Sequence, residues 1–228
     1  MVVGDGMMAR AFAAFRDSKD VVIFASGVSN SLETDPTAFA RERALLEHVR
    51  AANPGALLVY FGTCSVDDPE RRDTPYVQHK LEMESLLAAP GESWLVLRAP
   101  LAIGRNPGSR TLAQFLHDRI MRGEPFDVWE DATRFPIDVD DVFRIGNRFI
   151  QDKAMWNRRI NVALRPFPVL DFVRAMEGIV GRKANYVLVR KGRPYGVDCP
   201  EVAGIAGGLS LDFSDRYLER VLRKYFGG

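Results

Sequence analysis

Tyr76 and Lys80 stand four residues apart in Tyr76-Val77-Gln78-His79-Lys80, a spacing that puts a phenol and an ammonium on one face of a helix. A free phenol ionises at about 10 and is a poor base at neutral pH. A neighbouring cation favours the phenolate, so the spacing predicts a lowered pKa and a group able to take a proton from an alcohol or sugar hydroxyl. Upstream, the apolar run 57–61 ends in Gly62-Thr63-Cys64-Ser65-Val66. The carboxyl end of a strand in an open α/β sheet is where ligands bind. Thr63 at that end can hold a substrate oxygen by a hydrogen bond while hydride leaves the carbon for a nicotinamide. A Tyr-x-x-x-Lys pair alone is common by chance; its order after a strand ending in hydroxyls gives it weight.

The chain opens on Met1-Val2-Val3 followed by Gly4-x-Gly6-x-x-Ala9. Between a strand and a helix, this pattern reads as a pyrophosphate turn. The first glycine permits the bend, the second lets backbone approach phosphate, and Ala9 permits close helix–strand packing. A turn serving only the fold is the competing reading. A dinucleotide site also requires an acid about 20 residues further on, at the tip of a second strand. Here the first helix runs straight into Val21-Val22-Ile23-Phe24, so a strand–helix–strand segment is missing. Asp17 and Asp20 fit a helix end and a loop instead.

The elements that must position these residues are legible as alternation. Strands are expected at 21–24, 57–61 and 94–97, apolar at every position as in a central parallel sheet, with helices at 7–15, 35–52 and 75–89. Beyond Pro100 the expectation is a helix at 111–121, a strand at 126–129, an extended segment at 135–139 and a helix from Asp140 to about 150. A strand at 160–163, a helix at 169–180, a strand at 186–189 and a terminal helix capped by Ser214 complete the chain. The fold class is α/β, a shortened Rossmann-like parallel sheet with helices on both faces and a small C-terminal substrate lobe. One compact unit is expected over 1–228, with a core of about 1–104 plus 135–164 and a lobe of about 105–134 plus 165–228.

Composition narrows the function classes. The chain has 228 residues, 46% hydrophobic, with 31 Lys and Arg against 30 Asp and Glu. That apolar content excludes disorder, and the absence of a basic stripe argues against nucleic acid. Cys64 and Cys199 form no disulfide framework or metal motif and read as free thiols, so no metal is expected. No apolar run approaches the ~18 residues of a membrane span, and the start lacks a leader pattern, which reads as a cytoplasmic protein. A first strand of this brevity is also what a start codon placed too late would leave. His48, His79 and His117 read as solvated, residues 67–73 as a solvated loop, and Trp94, Trp129 and Trp156 as packing. Arg105 and Arg110 could touch a phosphate or face water.

Taken in order, these motifs resemble the extended short-chain dehydrogenase/reductases, within the NAD-dependent epimerase/dehydratase group acting on nucleotide sugars. The resemblance covers nearly the whole chain except the second and third strands. It implies Thr63, Tyr76 and Lys80 as catalytic residues, with Lys80 also on the nicotinamide ribose. Phe24-Ala25-Ser26-Gly27 is similar to the family's strand under the nicotinamide, and Glu33-x-Asp35-Pro36 to the start of its next helix. Cofactor contacts are then implied at Gly4, Asp5, Gly6, Met7, Met8, Ala25, Ser26 and Gly27, and at Pro100 in Leu97-Arg98-Ala99-Pro100-x-x-x-Gly104.

Substrate contacts are implied at Ser29, Asn30 and Ser65. Arg134 in Arg134-Phe135-Pro136-Ile137-Asp138-Val139 and Arg193 in Gly192-Arg193-Pro194 complete that set, as guanidinium forks for a diphosphate. The implied cofactor is NAD or NADP and the implied partner a nucleotide sugar, with a homodimer through helices 35–52 and 75–89. Asp138 stands where the family has histidine, the helix after Pro36 lacks its asparagine, and the missing strands would have held adenine and its ribose. The alternative is therefore a sugar-nucleotide-binding or partner subunit that has lost cofactor binding. Epimerisation, reduction and dehydration share these residues. Cys64 and Ser65 after Thr63, where a dehydratase needs an acidic pair, favour epimerase or reductase.

Overall fold

The computed structural model describes residues 1–88, 90–105 and 111–228. Its first half contains β1 (Val2–Val3), α1 (Met7–Ala11), β2 (Val21–Phe24), α2 (Pro36–Ala52), β3 (Leu57–Thr63), α3 (Pro75–Leu87) and β4 (Trp94–Ala99). There follow β5 (Leu101–Ile103), α4 (Leu112–Arg122), β6 (Phe126–Trp129), β7 (Thr133–Arg134), β8 (Pro136–Asp138), α5 (Val139–Gln151) and β9 (Arg158–Asn161). The chain ends with β10 (Phe167–Pro168), α6 (Val169–Val180), β11 (Tyr186–Val189), α7 (Pro200–Leu209) and α8 (Tyr217–Phe226). Among the described residues no helix is long and apolar enough to cross a membrane, and no cluster of side chains could hold a metal ion.

One five-stranded sheet in the order β1-β2-β3-β4-β9 carries the molecule, and every pair in it is parallel. Its strands are apolar at successive positions because both faces are covered. Ile23, Val59, Leu95 and Leu97 point to the face under α1 and α5, while Val22, Phe24, Leu58, Tyr60 and Val96 point to the face under α2 and α3. The steps β1→β2 and β2→β3 go the same way across the sheet, yet α1 and α2 lie on opposite faces. The two crossovers therefore have opposite hand, so one breaks the right-handed rule for parallel strands. This follows from joining α1 directly to β2 without the intervening strands. The strand order never reverses, and β1 is an edge.

A second core lies beyond the strand ends, where α4, α6 and α8 close over Leu116, Phe126, Phe172, Met176 and Leu222. α8 is latched to the start of α5. Tyr217 hydroxyl accepts from the Asp138 amide at 2.9 Å and donates to Asp141 Oδ2 at 2.8 Å. Lys224 Nζ reaches Asp138 Oδ2 at 2.7 Å and Asp140 Oδ2 at 2.6 Å, and the Tyr225 hydroxyl donates to Asp138 Oδ1 at 2.7 Å. Asp138, rather than the expected Asp140, caps α5 by accepting from the Asp140 amide at 3.0 Å. An acid suits this position because it faces a lysine, a tyrosine and a helix start together.

Three further expectations are corrected. The helix expected over 7–15 ends at Ala11 and passes into a 3₁₀ turn over Ala13–Phe15. The last helix starts at Tyr217, with Ser214 Oγ accepting from the Arg216 amide at 3.3 Å one turn earlier. α7 was not expected, since Gly204, Gly207 and Gly208 hide its pattern; Val202 packs beneath the sheet, and the Arg144 guanidinium holds the Leu209 carbonyl.

α1 is anchored by Phe12, fully buried with its ring edge-on to Phe61 at 5.1 Å and Phe143 at 5.3 Å. A Cβ on Gly146 would come within 2.8 Å of the Phe12 ring, so that glycine makes room for it. Replacing Phe12 by alanine is expected to destabilise the chain by about 3–5 kcal/mol in urea unfolding. A loss below about 1 kcal/mol, within ordinary surface effects, would show that this helix does not anchor the first strand.

Candidate active site

Thr63 ends β3 in extended backbone and caps the 3₁₀ turn Cys64–Asp67, its Oγ1 accepting from the Ser65 amide at 3.1 Å. Thr74 caps α3 and Pro75 opens it, which sets Tyr76 in the first turn. The Thr63 side chain acts on the Tyr76 phenol, favouring its ionised form. A strand end and a helix start thus bring these two hydroxyl side chains to the carboxyl edge of the sheet.

The ammonium behaves otherwise. Lys80 Nζ lies 5.9 Å from the centre of the Tyr76 ring, but it donates to Glu42 Oε1 and to the Tyr60 hydroxyl, each at 3.0 Å. Glu42 is fully buried and accepts from three further donors: the Val28 amide at 2.6 Å, the Tyr60 hydroxyl at 2.6 Å and His79 Nε2 at 2.9 Å. Burial alone would raise the Glu42 carboxyl, yet His79, Lys80, Tyr60 and the Val28 amide together hold it down to about 2. Burial also lowers Lys80, against the pull of Glu42. The Tyr76 phenol is pushed up to about 12, chiefly by burial, with the Thr63 side chain opposing. The expected lowering of the phenol is therefore overturned, first by burial and then by the nearby Glu42 carboxylate. His79, expected in solvent, is buried against Glu42 and stacks on Phe39 at 4.4 Å.

Gly27 makes this cluster possible. A Cβ there would lie 2.6 Å from Glu42 Oε1 and 2.8 Å from Lys80 Nζ, so the pair sits directly under bare backbone. Sequence reasoning missed Glu42, although a signal existed. Phe39, Glu42, Leu46 and Val49 share one face of α2, and an acid within that apolar stripe needs a buried partner.

The glycine turn has the predicted form. Gly4 has φ +111°, and a Cβ on it would strike the Ala25 carbonyl oxygen at 2.6 Å, so it lies against the end of β2. Gly6 faces open space and caps α1 with no side chain in the way, while Ala9 is buried. Arg10, unforeseen, ties the turn down by donating to the Asp5 carbonyl at 2.8 Å and the Arg105 carbonyl at 2.7 Å. Met7 packs where a Cβ on Gly104 would sit, 2.7 Å from its sulfur. The open backbone at Gly6 fits a phosphate. Beyond β1, however, the described residues supply no strand for an adenosine, and the sheet lacks the reversal in strand order at which dinucleotides bind.

Met8, Ala25, Ser26, Asn30, Ser65 and Pro100 are half-buried, whereas Asp5, Ser29 and Arg193 are exposed. Asn30 Oδ1 accepts from the Leu32 amide at 3.1 Å and shapes a turn. Arg134 is half-buried and donates to the Thr133 carbonyl at 2.7 Å. Arg110 lies outside the described residues.

Replacing Glu42 by glutamine leaves a buried ammonium without its counter-charge and is expected to cost about 3–5 kcal/mol. The double variant with Lys80→Met, which removes both charges, is expected to recover part of that loss. The folded pKa of about 2 lies below the ordinary 4.5, so the stabilisation from Glu42 is full above pH 4.5 and lost as pH falls towards 2. Urea midpoints across that window should fall less steeply with acid in the glutamine variant than in the native chain. Equal slopes would contradict the assignment.

No family model matches the sequence, and no curated protein matches it. Solved structures do. The UDP-glucose 4-epimerase of Thermus thermophilus, a complex with NAD, is 18% identical with a TM-score of 0.70, over 97% of this chain and 82% of that one. The UDP-glucuronic acid 4-epimerase of Bacillus cereus, with UDP-glucuronic acid and NAD, is 16% identical with a TM-score of 0.72, over 95% and 76%. The dTDP-glucose 4,6-dehydratase of Bacillus anthracis, with NAD, is 12% identical with a TM-score of 0.71, over 98% and 77%. The chain thus shares with these structures a Rossmann-like α/β fold built on a parallel sheet.

Proposed function

We propose that this chain is an NAD(P)-dependent epimerase or reductase of a nucleotide-linked sugar, with Tyr76 as its acid–base group. The observation that carries the reading is the placement of Thr63 at the carboxyl end of β3 and of Tyr76 in the first turn of α3, where the Thr63 side chain acts on the Tyr76 phenol. In this reading Thr63 orients the reacting hydroxyl and Tyr76 exchanges its proton. Lys80 acts through Glu42 and Tyr60, holding α3 against β3 and α2 so that the phenol keeps its place. The turn from Gly4 to Met8 would hold the pyrophosphate and Ala25–Gly27 would pass under the nicotinamide, which supplies a hydride acceptor when bound. The core of about 1–104 plus 135–164 would hold the dinucleotide and the remainder the sugar nucleotide, with a homodimer through α2 and α3.

The phenol at about 12 sets a pH signature. Below its pKa the base form grows tenfold per pH unit. The kcat/KM for oxidation of the sugar hydroxyl is therefore expected to rise from neutral pH to about 10 without a plateau. A plateau near 7 would instead mean that Lys80 activates the phenol.

A second reading, a sugar-nucleotide-binding or partner subunit without cofactor, is favoured by the unreversed strand order and by the Glu42 carboxylate that takes the Lys80 charge. Fluorescence titration with NADH and NADPH separates the two. The first reading expects saturable binding of one of them. No binding up to roughly millimolar, an affinity of about 4 kcal/mol, with retained binding of UDP would install the second.

A further inference from the structure

The two-stranded sheet of β6 and β11 is open on one side. β11 pairs in parallel with β6, and among the described residues no strand lies along its outer edge. The ladder to β6 uses alternate residues: the Phe126 amide donates to the Asn185 carbonyl at 3.1 Å, and the Glu130 amide to the Val189 carbonyl at 3.0 Å. That alternation turns the amides and carbonyls of Tyr186 and Leu188 outward, where no other described segment takes them up. Leu188 lies across from Val128, which is 1% exposed, yet is itself 47% exposed because nothing covers its outer flank. On the other face Val187 and Trp129 are exposed as well. Tyr186, at the start of the strand, lines a cleft of about 710 Å³ against α6, together with Arg174, Glu177, Arg182 and Lys183.

Charge decides what fits this edge. Arg182 and Lys183 precede the strand and Arg190 and Lys191 follow it, all exposed, and 178–197 contains no acid. Glu177, the acid of the cleft, is engaged by the Ala184 amide at 2.8 Å and by Lys183 at 3.5 Å. Arg182 donates to the Met121 carbonyl at 2.7 Å, and Lys191 lies over the Trp129 ring at 6.0 Å. Asp127, Glu130 and Asp131 belong to β6 and the turn after it, on the closed side. Cations beside an open edge repel a second copy of the same strand, since cations would face cations whichever way the copies ran. We propose that β11 is a docking edge for an extended segment of a partner protein, apolar at alternate positions and acidic at its ends. The segment adds a third strand, bonding the Tyr186 and Leu188 backbone, covering Leu188, and setting its acids over the cleft and beside Lys191. None of these residues belongs to the Thr63–Tyr76 pair, so the proposal stands apart from the nicotinamide reading.

Fluorescence anisotropy of the native chain with a labelled peptide, a Val-Thr-Val-Thr core flanked on each side by aspartates, tests the assignment. Saturable binding at roughly 1–100 μM is expected, weakened about tenfold or more in Leu188→Pro, which removes one outward amide and leaves the β6 ladder whole. Lys183→Glu combined with Lys191→Glu is expected to weaken it similarly and to turn the preference towards a lysine-flanked peptide. Circular dichroism checks the fold of each variant, and the exposed lysine pair carries the test should the proline disturb it. No binding of the aspartate peptide to the native chain, or equal binding of the two peptides, overturns the assignment. A concentration-dependent dimer that Leu188→Pro dissolves overturns it in favour of a second copy of this chain.

Discussion

The structure depends on one buried carboxylate. Glu42 gathers an ammonium, an imidazole, a phenol and a backbone amide, and these donors come from α3, β3 and the segment after β2. Removing such a group from water costs several kcal/mol, recovered only when every lone pair is bonded. The requirement fixes the relative positions of α2, α3 and β3, and with them the Tyr76 phenol. It also decides the electrostatics of the site. Lys80 is spent on Glu42 and Tyr60, while burial and the Glu42 carboxylate raise the phenol.

A second constraint comes from topology. Among the described residues β1 is an edge strand with no neighbour on its far side. Gly4 and Gly6 keep the form of a phosphate turn, and Arg10 holds that turn against the loop after β5. The turn is thus retained, while the described sheet stops at β1 on that side. The opposite hand of the first two crossovers is the geometric trace of that shortening.

How much of this could be read from residues varies with the kind of interaction. The strands β2, β3 and β4 were legible because burial on both faces demands continuous apolar runs. The glycine turn was legible because Gly4 adopts a backbone conformation that side chains resist. Tyr76 and Thr63 were legible from a strand end followed by a helix start. The Glu42–Lys80 contact was not, since it joins α2 to α3 across the sheet's covering layer, and spacing within one helix says nothing of a partner on another. Asp138 likewise looked like a departure until α8 returned with Lys224 and Tyr225.

The central claim is that the Tyr76 hydroxyl carries the proton in a hydride transfer. Its most direct measurement is the nicotinamide absorbance during a single turnover, with the chain mixed with oxidised dinucleotide and UDP-sugars. The account predicts transient reduced nicotinamide in the native chain and its loss in Tyr76→Phe, with the sugar nucleotide still bound. Equal signals in the two proteins, or none in a native chain saturated with sugar nucleotide, would contradict it.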